Sequence, residues 1–175
     1  MIRQLVSKRM VIATVGLLVA GGAFQLSRGQ KARSLTVQYL EGTPQQKQRA
    51  FSPAVLTQGG KTVWLAGQTA TEDLNHKPIA GDFDAQVRTI FALLDQTLKR
   101  AGGSLRNMVS MTVFINDPRH GDRFIELRHQ MFPDGKYPAS ALITVSNFAR
   151  PGMLIEIQGV AVIEENETGT GRRPQ

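Results

Sequence analysis

The chain has 175 residues, 41% of them hydrophobic, with no cysteine, three histidines and a formal net charge of +7. That length ordinarily gives one domain around a single core. The lack of cysteine excludes disulfides, thiolate metal sites and cysteine nucleophiles. His76, His120 and His129 stand at no metal-ligand spacing, so neither a metal nor another cofactor is expected.

The charge is unevenly placed. Before Glu41 the basic residues Arg3, Lys8, Arg9, Arg28, Lys31 and Arg33 meet no acid, whereas residues 41–163 hold 13 basic against 11 acidic side chains. The portion that folds is nearly neutral, so a basic stripe for nucleic-acid phosphates is not expected. Residues 1–9 form a short cationic segment. Residues 10–26 follow as a hydrophobic segment, uncharged from Met10 to Phe24. That run matches a signal-peptide core in length and falls short of the roughly 20 residues that cross a bilayer untilted. As an N-terminal hydrophobic helix it would be a cleaved export signal or an uncleaved membrane anchor, placing the domain in the periplasm or on a membrane. An organellar transit peptide is a third reading. Residues 27–50, polar and rich in glutamine, read as a linker, and residues 164–175 as a flexible tail.

A regular pattern begins at Phe51 and runs to Ile163, which sets the domain at 51–163. Residues 51–57 predict a strand. Gln58-Gly59-Gly60-Lys61 predicts a hairpin turn whose glycines supply positive φ, leading into a second strand at 62–69. After a loop, Asp82 or Asp84 caps a helix to about Arg100, with Phe83, Val87, Ile90, Phe91, Leu94 and Leu98 spaced by three and four. Gly102-Gly103 ends it. Residues 107–116 alternate as a strand stopped by Asp117-Pro118. A shorter helix spans 122–131, and strands at 138–145 and 154–163 close an α+β domain of order β-β-α-β-α-β-β.

The strand faces carry a prediction about assembly. Val109, Met111, Val113 and Ile115, with Ile155, Ile157, Ala161 and Ile163, form an apolar face, to which Ala139, Ala141, Ile143 and Val145 are assigned. Two helices cover only that face. The other face mixes Ser, Thr, Gln and Glu with Leu, Val and Phe. It is too apolar for water and too polar for a monomer core, which predicts a subunit interface within a closed ring. Trp64 and Phe114 read as packing residues of that interface or of the core.

Phe51-Ser52-Pro53-Ala54-Val55 and Trp64-Leu65-Ala66-Gly67-Gln68 resemble the opening segments of the reactive-intermediate (imine) deaminase family, the Rid or YjgF-like proteins. Residues 109–114 are similar to its middle strand. Tyr137-Pro138-Ala139-Ser140, followed by Leu154-Ile155-Glu156-Ile157-Gln158, resembles its closing pair. The resemblance implies a chorismate-mutase-like sheet with two helices on one face, a homotrimer, and a small metabolite bound in each cleft between subunits. It implies hydrolysis of an imine or enamine in which Glu156, at the position of the family's carboxylate, positions or activates water. Gly67 matches the cleft glycine. Phe51 replaces the usual Tyr, and Ser140 stands where the family carries the Arg that holds a substrate carboxylate. The helix Asn of some members has no match near Ile125 and Glu126. Arg150, in the next loop, is the candidate replacement for the missing guanidinium. Phe51, Gly67, Ser140 and Arg150 are thus the candidate substrate-binding residues, with Glu156 catalytic. A silent ligand-binding or scaffolding trimer is the competing reading. A nuclease role finds no support in the charge distribution.

Overall fold

The computed structural model describes residues 34–165. The hydrophobic helix expected from Met10 to Phe24 and most of the tail lie outside these residues. Among the described residues no helix is long and apolar enough to cross a membrane. The elements, in order, are β1 (Thr36–Tyr39), α1 (Pro44–Gln48), β2 (Val55–Gln58), β3 (Lys61–Gln68), α2 (Phe83–Arg100), β4 (Met108–Ile115), α3 (His120–Met131), β5 (Ala139–Thr144) and β6 (Ile155–Ile163). β1 and β2 pair as a two-stranded sheet, and the other four strands form a second sheet ordered β3-β6-β4-β5. β4 and β5 are parallel, and α3 is the crossover that a parallel neighbour requires.

The stretch read as a linker is corrected here, because from Thr36 it carries a strand and a helix of the fold. Thr43 and Gln46 make a reciprocal capping box, Gln46 N–H donating to the Thr43 hydroxyl at 3.3 Å and Thr43 N–H to the Gln46 side-chain oxygen at 2.8 Å. Pro44 occupies the first turn, where its missing N–H costs nothing. The first predicted strand also shortens. Residues 51–54 make only an isolated parallel bridge, Ser52 to Ala139, before β2 starts at Val55. Gly59 and Gly60 do adopt φ of 73° and 71°. They turn the chain between sheets, however, since β2 pairs with β1 and β3 pairs with β6.

α2 is built as its periodicity requires. Asp82 accepts a hydrogen bond from Ala85 N–H at 3.0 Å, and the apolar stripe from Phe83 to Leu98 is buried. In β4 and β6 the faces divide as expected over Met111, Val113, Ile115, Ile155, Ile157 and Ala161, which lie in the core, but a register shift between Met108 and Ser110 places Met108 there in place of Val109. In β5 they do not. Register pairs Met111 with Ser140 and Val113 with Leu142, so Ser140 and Leu142 face the helices. Ala141 and Ile143 lie on the open side. Alternation inside one short, weakly apolar strand cannot say which side is inward; the neighbouring strand decides.

Several carboxylates tie the surface together. Asp84 is pulled below the ordinary aspartate value by Arg123, Asp73 by the backbone N–H groups of Lys77 and Asn75, and Asp117 to about 2 by Arg119. Each binds protons more weakly in the folded chain than in the unfolded one. Its contribution is therefore complete above the unfolded value of 3.8 and disappears as pH drops through the folded one. The melting temperature is expected to stay level down to about pH 4 and to decline from there towards about pH 2, as calorimetry would show. A rise on acidification through this window would contradict the assignment.

Candidate functional site

The open side of the four-stranded sheet carries one row that crosses every strand. Ile143 of β5 lies beside Phe114 of β4, and Phe114 pairs with Glu156 of β6. Gly67 of β3 completes the row. A Cβ built on Gly67 would fall 1.9 Å from the Glu156 carboxylate oxygen Oε1, so that carboxylate rests directly on the glycine backbone. The local ladder is irregular. Leu65 pairs with Gly159 and Gln68 with Ile157, leaving an extra β3 residue at a bulge beside the carboxylate. The bulge and the missing Cβ together make room for Glu156. Two of the five sequence-predicted residues, Gly67 and Glu156, thus come together within one chain.

Glu156 is half-buried and forms no ion pair or side-chain hydrogen bond among the described residues. The open face around it mixes apolar and polar side chains, with Phe114 half-buried, Ile143 43% exposed and Trp64 80% exposed, and with Thr112 and Gln158 paired in the adjacent row. Trp64 shares this face through its pairing with Val160. A carboxylate without a side-chain partner in this row can serve as a general base towards water or substrate.

The other three candidates lie elsewhere in the chain. Ser140 points to the helix side, where its hydroxyl accepts a 2.6 Å hydrogen bond from Arg128. Phe51 lies one residue before the Ser52–Ala139 bridge and lines a cavity with Tyr39 and Tyr137. Ala50 holds φ at 52° while fully buried, and this left-handed step sets the course of the chain into Phe51. Arg150 is exposed in a turn and forms no ion pair among the described residues. Its expected role as the replacement guanidinium gains no contact within the chain.

Arg128, which the sequence reading passed over, is the one buried guanidinium among the described residues, at 3% exposure. It donates to Ser140 and, at 2.5 Å, to the Arg49 carbonyl, while its Nε is buried without a partner. The Phe124 ring lies 5.0 Å below it. Burial, aided by the like charge of Arg49, brings its pKa down to about 10, and it remains protonated at neutral pH. The next residue, His129, contacts the Gln48 carbonyl at 3.0 Å and the Tyr137 hydroxyl at 2.7 Å. Together these two residues fasten the end of α1 to α3. The signal was present in the sequence, because Arg128 falls four residues after Phe124 and three before Met131, on the apolar stripe of α3.

The sequence model of the protein family described as Endoribonuclease L-PSP matches residues 43–163. The chain is 30% identical over 112 residues to protein DfrA of Myxococcus xanthus, an overlap of 64% of this chain and 84% of the relative. It is 27% identical over 114 residues to a RutC family protein of Pyrococcus horikoshii, an overlap of 65% and 87%. Among solved structures, a protein of unknown function of the conserved Rid family from Yersinia pestis is similar with a TM-score of 0.64 at 24% identity, over 75% of this chain and 100% of the other. A member of the highly conserved YjgF family from Mycobacterium tuberculosis is similar with a TM-score of 0.51 at 24% identity, over 73% and 100%. At such identities the structures speak for the fold, a mixed sheet with few helices.

Proposed function

The chain belongs to the Endoribonuclease L-PSP family, the Rid or YjgF-like proteins, and on that premise we propose that it hydrolyses imines or enamines. The observation that carries this reading is the unpaired Glu156 carboxylate lying on Gly67. Water adds to the carbon of a C=N bond as Glu156 takes its proton. The carbinolamine nitrogen is then protonated, the C–N bond breaks, and ammonia leaves a carbonyl product. An imine plus one water thus gives a ketone or aldehyde plus one ammonia, with no redox partner. Ser140 in place of a guanidinium, and turned to α3, supports a substrate range altered towards imines without a carboxylate beside the C=N carbon.

The reading includes a homotrimer in which copies cover the open face and close the clefts. Trp64, Ile143 and Phe114 on a face that no helix covers support it. Sedimentation at micromolar concentration is expected to give a trimer; a monomer would remove both the assembly and the cleft. For the chemistry, imines are generated in place by an amine or amino-acid oxidase and carbonyl formation is followed. A Glu156→Gln variant is expected to lose about a hundredfold in rate, the scale of general-base catalysis. Equal rates with and without the protein would overturn the reading.

Ser140 itself favours a second reading, a catalytically silent trimer that binds a metabolite or scaffolds a membrane-associated complex. The two separate in the same coupled assay combined with a binding measurement. Carbonyl formation by the wild type that Glu156→Gln loses supports the enzyme reading, and an inactive wild type that still binds a metabolite supports the silent one. The cationic residues 1–9 and the uncharged run from Met10 to Phe24 support export or membrane tethering. Cell fractionation tests this, since recovery of the full chain in the soluble cytoplasm would exclude it. The near-neutral charge of residues 41–163 gives no reason to extend the proposal to RNA cleavage.

A further inference from the structure

The chain contains two tyrosines, and both line a single cavity. This cavity, about 430 Å³, lies between the end of β1, α1 and the turn before Tyr137, and Phe51 adds a third ring to its wall. The volume exceeds that of one small aromatic molecule and falls within the range of small-molecule sites. The Tyr137 hydroxyl is committed to His129 at 2.7 Å. Tyr39 is half-buried, and its hydroxyl forms no hydrogen bond among the described residues. Ser52, 7% exposed as a residue, also lines the cavity, and its hydroxyl has no hydrogen-bond partner among the described residues, which leaves it available to a ligand or water.

The rim carries one charge of each sign. Lys47 donates to the Glu41 carboxylate at 2.6 Å, both side chains are well exposed, and both residues line the cavity. A ligand bearing only a carboxylate would meet Glu41 as well as Lys47, and one bearing only an ammonium would meet Lys47 as well as Glu41. A ligand carrying both charges satisfies the rim by opening the pair and bonding to each half. The aromatic wall calls for a flat apolar group behind those charges.

We propose that this cavity binds an aromatic zwitterion of the α-amino-acid type, with the ring against Tyr39, Phe51 and Tyr137, the carboxylate on Lys47 and the ammonium on Glu41. The site stands on residues other than Glu156, and its occupancy is a binding event that requires no hydrolysis. Ser52 would donate to the ligand carboxylate.

The test uses the full chain and three probes matched in ring and length: L-phenylalanine, 3-phenylpropanoate and 2-phenylethylamine. Binding is read by calorimetry and by saturation-transfer NMR. L-Phenylalanine is expected to bind about tenfold more tightly than either singly charged probe. Lys47→Met and Glu41→Gln, both at exposed positions that leave the core untouched, are each expected to erase that preference. Equal affinity for all three probes would overturn the zwitterion assignment. Failure of L-phenylalanine to bind at about 10 mM, or binding indifferent to both substitutions, would overturn the site itself.

Discussion

A Gly67→Ala variant is expected to fold as the wild type does and to lose imine hydrolysis by about a hundredfold, as much as removal of the Glu156 carboxylate. The alanine Cβ would lie 1.9 Å from Glu156 Oε1 and 2.9 Å from the carboxyl carbon. The backbone at Gly67 does not have the positive φ that would itself reject an L side chain. The whole conflict therefore falls on the end of a flexible side chain, which swings away at little cost in stability but leaves the row where water would be activated. Gly159→Ala is the contrasting control. There a Cβ would lie 2.5 Å from the backbone oxygen of Ser110, an atom of the neighbouring strand that cannot move aside. That variant is expected to lose about 1–3 kcal/mol of stability through overpacking. Turnover by Gly67→Ala at the wild-type rate, with an unchanged melting temperature, would show that the carboxylate over residue 67 is not the reacting base.

The contrast between these two glycines also shows what could be read from the chain. The long helix announced itself because eighteen residues repeat one spacing and both ends carry matching chemistry. β4 and β6 were legible for a similar reason, since their apolar residues alternate over most of each strand. β1 and α1 were hidden by composition. A four-residue strand and a five-residue helix among glutamines and lysines do not stand out from a linker, although the Thr43–Gln46 capping box was present in the sequence. The inward face of β5 depends on its register with β4, a contact between distant residues that no local window contains. The site divides along the same line. Glu156 and Gly67 belong to contiguous motifs that a local reading of the chain picks out. Arg128 and Ser140 meet only because α3 crosses back over β5, so their contact is a product of topology.

Gln86 gives the second large effect, in stability. It is fully buried in the first turns of α2, and its side chain makes three hydrogen bonds. Its amide nitrogen donates to the carbonyls of Ile79 at 3.1 Å and Gly152 at 2.7 Å, and its oxygen accepts from Leu154 N–H at 2.9 Å. One side chain thereby fastens the loop entering α2 to the turn that feeds β6, two residues before Glu156. Gln86→Leu keeps the apolar packing but strands the Leu154 N–H. The two carbonyls retain the N–H groups of Asp82 and Gly81. The expected loss is about 3 kcal/mol in urea unfolding, one orphaned donor plus the lost bonds. Gln86→Glu separates hydrogen bonding from packing. Its carboxylate would still accept from Leu154 but would face two carbonyl oxygens, so its folded pKa would rise above the unfolded value. The part of its stability deficit that comes from ionisation should therefore shrink as pH falls below that raised value, whereas the leucine variant gains nothing there. A leucine variant within about 1 kcal/mol of wild type would mean that the turn into β6 holds its course without Gln86. The position of Glu156 would then rest on the sheet alone.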